Sequence, residues 1–424
     1  MTGPATHGVE TLLFFTLLQL ILIILAARWV GWLFQRFHQP RGVGEIVAGL
    51  LLGPSLAGAL APEAFHWVFR SVDGTALTLI SQIGLILLMF QVGMEFDFSQ
   101  LGDRRNRHVT WLVTGAGILL PFGLGFAFGQ VSAPWLAPGI APLAYSLFIA
   151  IAFSITAVPV LGRILMEFGL TRSRLGVITI AAAAANDVIG WLLLAVVAAV
   201  VSSQFSWSVV GQQVSLLMVY FLVSWVIIRP LLHRLVDSFP IPDGKLPQDL
   251  LALLLAIIFG SAMVTSQLGI FAIFGGFTAG MLLHDRPALL AAWRHRVEDL
   301  LVVFFLPVFF TYTGLRTDIG SLSTARHWLW CGALIALATL GKFGGGYLAA
   351  RVGGMNPAAA RCIGLMMNTR GLMELIVINL GRDMGVIPAE IFTMLVLMAV
   401  ISTLMTAPGL RRWLPETARS KNSR

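Results

Sequence analysis

The sequence predicts an all-α polytopic membrane protein with thirteen transmembrane helices arranged as inverted repeats. Three observations carry that expectation: composition, the spacing of the apolar stretches, and the placement of lysine and arginine. Hydrophobic residues make up 57% of the 424 residues and charged ones 11%, with a mean hydropathy of +0.86; soluble domains carry about 25% charge. Apolar stretches of about 20 residues, the length needed to cross a bilayer, place helices near 11–33, 42–60, 75–96, 109–130, 142–163, 175–202, 209–229, 248–267, 269–284, 297–315, 328–350, 361–380 and 388–410.

Basic residues accumulate in cytoplasmic loops, so their distribution tests the helix count independently. One alternate set of loops holds only Arg70, Arg316, Arg326 and Arg382, and Lys342 and Arg370 lie inside helices; all the others of the 28 Lys and Arg fall in the opposite set. The N-terminus is therefore expected outside and the C-terminus in the cytoplasm, the topology of a multi-pass protein of a bacterial inner membrane. The formal charge of +8 reports that bias and contact with anionic lipid, and calls for no nucleic-acid partner. The first apolar segment lacks a basic n-region and reads as a retained helix rather than a signal peptide. Cys331 and Cys362 are expected at opposite membrane faces, so no disulfide is predicted between them.

The chain reads as one transporter unit, 1–424. Helices 1–6 over 11–202 form a first repeat, 203–247 carries a linking seventh helix, 248–412 forms the second repeat, and 413–424 is a short basic tail. The longest loop, near Arg229–Gln248 with Pro240, Pro242 and Pro247, reads as a hinge between halves. With so short a tail, a regulatory nucleotide-binding domain is expected to be a separate protein or to lie outside this sequence.

Ionisable side chains deep in a bilayer cost several kcal/mol and are functional candidates by default. Asp187, Lys342, Arg370 and Glu374 qualify. Asp187 lies 13 residues after Arg174 and 15 before Ser202 in the run "AAAAANDVIGW", roughly 20 Å from either helix end at 1.5 Å per residue, with Asn186 before it and no cation on its own helix within reach. Arg370 and Glu374, spaced i, i+4, read either as a self-satisfying structural pair or as part of the site. Lys342 reads either as a partner for a helix C-terminus or as a partner for Asp187. Two segments break their helices: "SITAVPV", with Ser154, Thr156 and Pro159, and "MMNTRGLMEL", with Asn368, Thr369 and Gly371. They fall in helices 5 and 12. An offset of seven helices reverses membrane orientation, and paired interrupted helices in corresponding positions of two inverted repeats mark a transporter's ion site.

The motifs "QPRGVGEIVAGLLLGPS", "TAVPVLGRIL", "AAAAANDVIGW", "PVFFTYTGL" and "MNTRGLMELIVINLG" resemble, in order and spacing, the monovalent cation/proton antiporter superfamily, in the branch holding Kef-type, NapA-like and plant CHX-type exchangers. That resemblance implies an antiporter exchanging Na+ or K+ for H+ by an elevator-like motion. It implies a core domain of helices 4–6 and 11–13 moving against a dimerisation domain of helices 1–3 and 8–10, and a homodimer. It makes Asp187 the cation and proton site, with Asn186 where electrogenic members carry a second aspartate, so that exchange is expected to be electroneutral. Lys342 corresponds to the family's core lysine, and the Thr156 and Asn368 regions to its crossing helices. Two departures follow. A glutamate that partners arginine in some related members is Ala182 here, and Lys342 lacks the acid that Asn186 replaces. Oxygen ligands suit a hard alkali ion; Asp187, the Thr156 and Ser154 hydroxyls, the Asn186 amide and backbone carbonyls are expected to supply them. Rival expectations are a Kef-like potassium efflux system and an organic anion/sodium symporter of related architecture. No cofactor is expected, and the sequence holds no nucleophile and base pair, metal cluster or phosphate loop that would point to an enzyme.

Overall fold

The computed structural model describes residues 4–37, 39–70, 74–95, 107–157, 160–161, 164–165, 168, 170, 173–202, 207–240, 245–268 and 271–414. Among these, ten helices are long and apolar enough to cross a membrane, and three shorter apolar helices accompany them. The long ones include α1 (Pro4–Arg36), α3 (Thr75–Met94), α4 (Arg107–Leu136) and α6 (Arg174–Ser202), with α2 (Arg41–Leu52) and α5 (Pro142–Ser154) between them. There follow α7 (Trp207–Val223), continued by a π-helical turn into α8 (Arg229–Asp237), then α9 (Gln248–Gln267), α10 (Ala272–Met281), α11 (Pro287–Trp293), α12 (Leu306–Leu315), α13 (Ala325–Val352), α14 (Pro357–Met367), α15 (Leu372–Asp383) and α16 (Ala389–Trp413). Proline opens α5, α11 and α14 at the first helical position, where no N–H is needed. Asn356 and Thr324 cap α14 and α13 by accepting the Ala359 and His327 amides at 2.8 and 3.2 Å.

The chain divides into two compact units. The first holds Met1–Ile24, Val68–Asp97 and Ala195–Tyr312; the second holds Leu25–Trp67, Phe98–Leu194 and Thr313–Arg424. The second unit takes in helices 4, 5 and 11–13 of the sequence reading and most of helix 6, and also the end of helix 1 and α2, which that reading grouped with helix 3. Gly314 and Gly49 let α2 and the end of α12 approach so closely that a Cβ on Gly314 would lie 2.4 Å from the Ile46 carbonyl oxygen.

Inside each unit, small residues set the packing, since lipid offers no hydrophobic drive between helices. In the second unit α13 lies on α4 with Gly345 against the Ala116 carbonyl, 2.6 Å from where a Cβ would stand. Its core includes Val113, Leu161, Ile178, Ala182, Ile363, Met366 and Leu410. Ala182 is thus an apolar packing residue.

In the first unit, Gly276 and Gly280 of α10 face α3, where added Cβ atoms would stand 2.4 Å from Ile86 O and 2.0 Å from Phe90 O. The GxxxG spacing serves a contact within this chain. Overpacking at such a site costs about 1–3 kcal/mol, so Gly280→Ala is expected to lower the thermal unfolding midpoint. Gly260→Ala, whose Cβ would meet nothing within 4 Å, puts a better helix former into α9 without a clash and is expected not to lower it.

Candidate functional site

The candidate site lies in the second unit, where two helices stop short. α5 ends at Ser154 because Ile155 turns extended, at φ −79° and ψ 145°, and the chain stays non-helical through Ala157. α14 ends at Met367, and α15 resumes at Leu372 after the Asn368–Gly371 break. The breaks are bonded to one another: the Ala157 amide donates to Thr369 O at 3.0 Å, and the Thr156 hydroxyl donates to Met367 O at 3.2 Å. Gly371 makes this approach possible, since a Cβ there would come within 3.0 Å of Val160 and 3.3 Å of Ala157. Its φ of 170° is ordinary extended backbone, so the glycine answers a need for space rather than for conformation.

A helix that stops inside a membrane leaves its last carbonyls without partners and carries partial negative charge there. Arg370 meets that need. Its Nη1 donates to Ala152 O at 2.6 Å and to Glu374 Oε1 at 3.1 Å; its Nη2 donates to Phe153 O at 3.1 Å and more weakly to Ala338 O at 3.5 Å. Its backbone is fastened to α16, where the Thr403 hydroxyl accepts the Arg370 amide at 3.1 Å and donates to the Arg370 carbonyl at 2.6 Å. Arg370 and Glu374 are both fully buried. With Ala182 lacking a carboxylate, the two terminal nitrogens of the guanidinium are held by Glu374 and by the end of α5, while Arg370 Nε and Glu374 Oε2 are buried without a hydrogen-bond partner.

Lys342 is also fully buried. Its Nζ donates to Gly117 O and to the Thr156 hydroxyl oxygen, each at 2.8 Å. It therefore braces α4 against the first break.

Asp187 and Asn186 sit midway along α6, 7% and 1% exposed. Asp187 Oδ1, both polar atoms of Asn186 and both of Asn368 are buried without a hydrogen-bond partner. Buried polar groups are almost always satisfied, so these orphaned atoms are candidate places for water or an ion. Asn186 approaches α4 where Gly117 leaves room: its Nδ2 lies 3.3 Å from the position a Cβ on Gly117 would take. Among the described residues no group of three or more His, Cys, Asp and Glu could hold a metal ion. The donors available are a lone carboxylate, amides and backbone oxygens, which suit a monovalent alkali ion better than a transition metal.

The other expected residues fall as follows. The Ser154 hydroxyl donates to Ala150 O at 2.7 Å and lies 3.3 Å from Ile118 O. The Thr369 hydroxyl is 3.3 Å from that of Thr406. Pro159 lies outside the described residues. Sequence reasoning missed Gly117, whose carbonyl anchors Lys342, and Thr403, which holds the second break. Both act through or upon backbone, and neither residue type announces that task.

Residues 21–414 match the family model described as sodium/hydrogen exchanger, transmembrane. The chain is 38% identical over 409 residues to Na(+)/H(+) antiporter NhaS4 of Synechocystis sp., covering 95% of this chain and 98% of that protein. It is 34% identical to Cation/H(+) antiporter 17 of Arabidopsis thaliana and 31% identical to K(+)/H(+) antiporter 1 of Saccharomyces cerevisiae, over 96% and 98% of this chain. It spans 48% of the length of each of these two longer relatives. The structure of the sodium proton antiporter MjNhaP1 from Methanocaldococcus jannaschii matches with a TM-score of 0.66 at 16% identity, over 93% of this chain and 99% of that one.

Proposed function

The chain belongs to the transmembrane sodium/hydrogen exchanger family, and from that premise we propose that it is a secondary antiporter exchanging an alkali cation, Na+ or K+, for H+. The observation that carries the reading is Asp187: a carboxylate buried midway along α6, one of whose oxygens has no hydrogen-bond partner. Proton and cation compete for that carboxylate. Asn186 and Asn368 supply further oxygens, and the bonds from Lys342 and Arg370 keep the two breaks in place. The moving part crosses when Asp187 is neutralised by either ligand and stays when it is bare, which couples the two fluxes without a further device.

The same reading includes thirteen spans in inverted repeats, an elevator-like exchange of access, a homodimer, and a bacterial inner membrane with the N-terminus outside. The orientation predicts that a cysteine replacing exposed Ser323 reacts with an impermeant maleimide added to intact cells, and that one replacing exposed Lys245 reacts only after permeabilisation. The opposite pattern would overturn it.

One titrating carboxylate releases one proton for one cation, so no net charge moves. Each net charge would otherwise couple to about 2.3 kcal/mol per 100 mV. In proteoliposomes with an internal pH dye, challenged in turn with sodium, potassium and lithium, at least one of these ions is expected to drive proton movement. Sodium-driven movement is expected to keep its rate when a valinomycin potassium diffusion potential is imposed. Strong acceleration by that potential would contradict the one-for-one stoichiometry, and indifference to all three ions would contradict the antiport itself.

A further inference from the structure

One residue of α4, Gly117, serves two of the buried polar side chains at once. Pro121 lies one turn further on, inside the same helix. It has no N–H, so the helical bond to the Gly117 carbonyl cannot form. That carbonyl accepts from the Lys342 ammonium instead, at 2.8 Å. The bare Cα meets other neighbours. A Cβ added to Gly117 would stand 3.3 Å from Asn186 Nδ2 and 3.3 Å from Met367 Cε, and no other atom beyond α4 comes within 4 Å among the described residues. The amide oxygen of Asn186 therefore stands further off than its nitrogen.

α4 is pinned along this stretch. Gly341 and Gly345 of α13 lie on either side of Lys342, and Cβ atoms on them would come within 2.9 Å of Pro121 Cα and 2.6 Å of the Ala116 carbonyl oxygen. With the two backbones in contact at both points and the Lys342 bond between them, a side chain at residue 117 must be accommodated by Asn186 and Met367 rather than by the helix. Carbon contacts are most favourable at about 3.5–4.0 Å, so both must yield by a few tenths of an ångström. Met367 ends in a flexible thioether. The Asn186 amide makes no hydrogen bond, so packing alone sets its position, and the vacancy at Gly117 is part of that packing.

Neighbouring alkali ions differ in radius by a similar few tenths, and selectivity among them depends on cavity size and on the number of oxygens. We propose that Gly117 is a specificity-determining residue: by offering no side chain it lets the Asn186 amide stand back against α4, and so sets the width of the space in which Asp187 and Asn186 hold the cation. The inference rests on the antiport reading, in which Asn186 lends an oxygen to the ion. Gly117 acts through the amide it seats. A Cβ there presses the amide into the ion's space and favours the smaller ion; a shorter side chain at residue 186 widens that space and favours the larger.

The test reads cation binding rather than transport. Thermal unfolding midpoints of the full chain in detergent are followed against lithium, sodium and potassium chloride, with choline chloride as the ionic-strength control, and give an apparent dissociation constant for each ion. In Gly117→Ala the ratio of the constant for the larger ion to that for the smaller is expected to rise several-fold. Gly115→Ala, on the same helix, adds a Cβ that meets nothing within 4 Å among the described residues. It is expected to keep the ratio, which separates crowding of Asn186 from a gain in helix propensity. The Lys342 bond goes to backbone and survives either change. Asn186→Ser, shorter but still bearing an oxygen, is expected to lower the ratio several-fold; it reads the same contact from its other side even where Gly117→Ala yields no folded protein. An unchanged ratio in folded Gly117→Ala or an equal rise in Gly115→Ala would overturn the role of Gly117. So would an Asn186→Ser protein whose ratio stays or rises, or which responds to none of the ions. An unsubstituted chain stabilised by none of the three ions would remove the cation site, and the antiport reading with it; a normal response whose ratio ignores these substitutions would remove this inference alone.

Discussion

Asp187→Asn is expected to abolish cation-driven proton movement in protein that still folds, elutes as a single species and unfolds at a midpoint no lower than the unsubstituted chain. The substitution keeps the shape of the side chain and removes its charge. A charged carboxylate buried without a hydrogen-bond partner on one oxygen is a cost to the fold, so an amide in its place should be neutral or stabilising. Loss of transport with retained stability separates a functional acid from a structural one. Exchange that survives in Asp187→Asn at more than a small fraction of the original rate would remove Asp187 from the mechanism.

Arg370→Ala is expected to produce the largest loss of stability. The guanidinium holds Glu374, the last carbonyls of α5 and a carbonyl of α13 at once, and all of these are deep in the second unit. Removing it leaves a buried carboxylate unpaired and the end of α5 uncapped. Breaking a buried pair on one side costs about 3–5 kcal/mol, enough to lower the unfolding midpoint well outside measurement scatter. Replacing both partners, as in Arg370→Met with Glu374→Leu, is expected to restore part of that loss, while the uncapped α5 keeps the double variant below the unsubstituted protein. A double variant no better than Arg370→Ala alone would show that the carbonyl contacts, rather than the pair, dominate. An Arg370→Ala protein of unchanged stability would contradict the capping role altogether.

How far the sequence disclosed this site depends on which atoms do the work. The four buried charges were legible because the membrane tolerates so few, and each stands out against apolar neighbours. The breaks after Ser154 and Met367 were legible as departures from an apolar helix. The partners of the charges were not. Lys342 is held by a backbone carbonyl of Gly117 and by Thr156, and Arg370 by carbonyls of Ala152 and Phe153; any residue presents a carbonyl, so no pattern of residue types marks one. Gly276 and Gly280 show the same limit from another side. Their spacing announces a close contact, but only the fold says that the partner is α3 of the same chain. The fit of Gly314 against Ile46 and Gly49 is a match between distant segments that neither segment shows alone.

The central claim, that one carboxylate at Asp187 binds cation and proton in competition, is tested most directly by proton release. Purified protein in weakly buffered detergent solution is titrated with sodium or potassium chloride, against choline chloride as the ionic-strength control, and the liberated protons are followed with a pH indicator. The account predicts release that saturates near one proton per chain with the transported cation, none with choline, and none from Asp187→Asn with any salt. Saturable cation-dependent release from Asp187→Asn would contradict it.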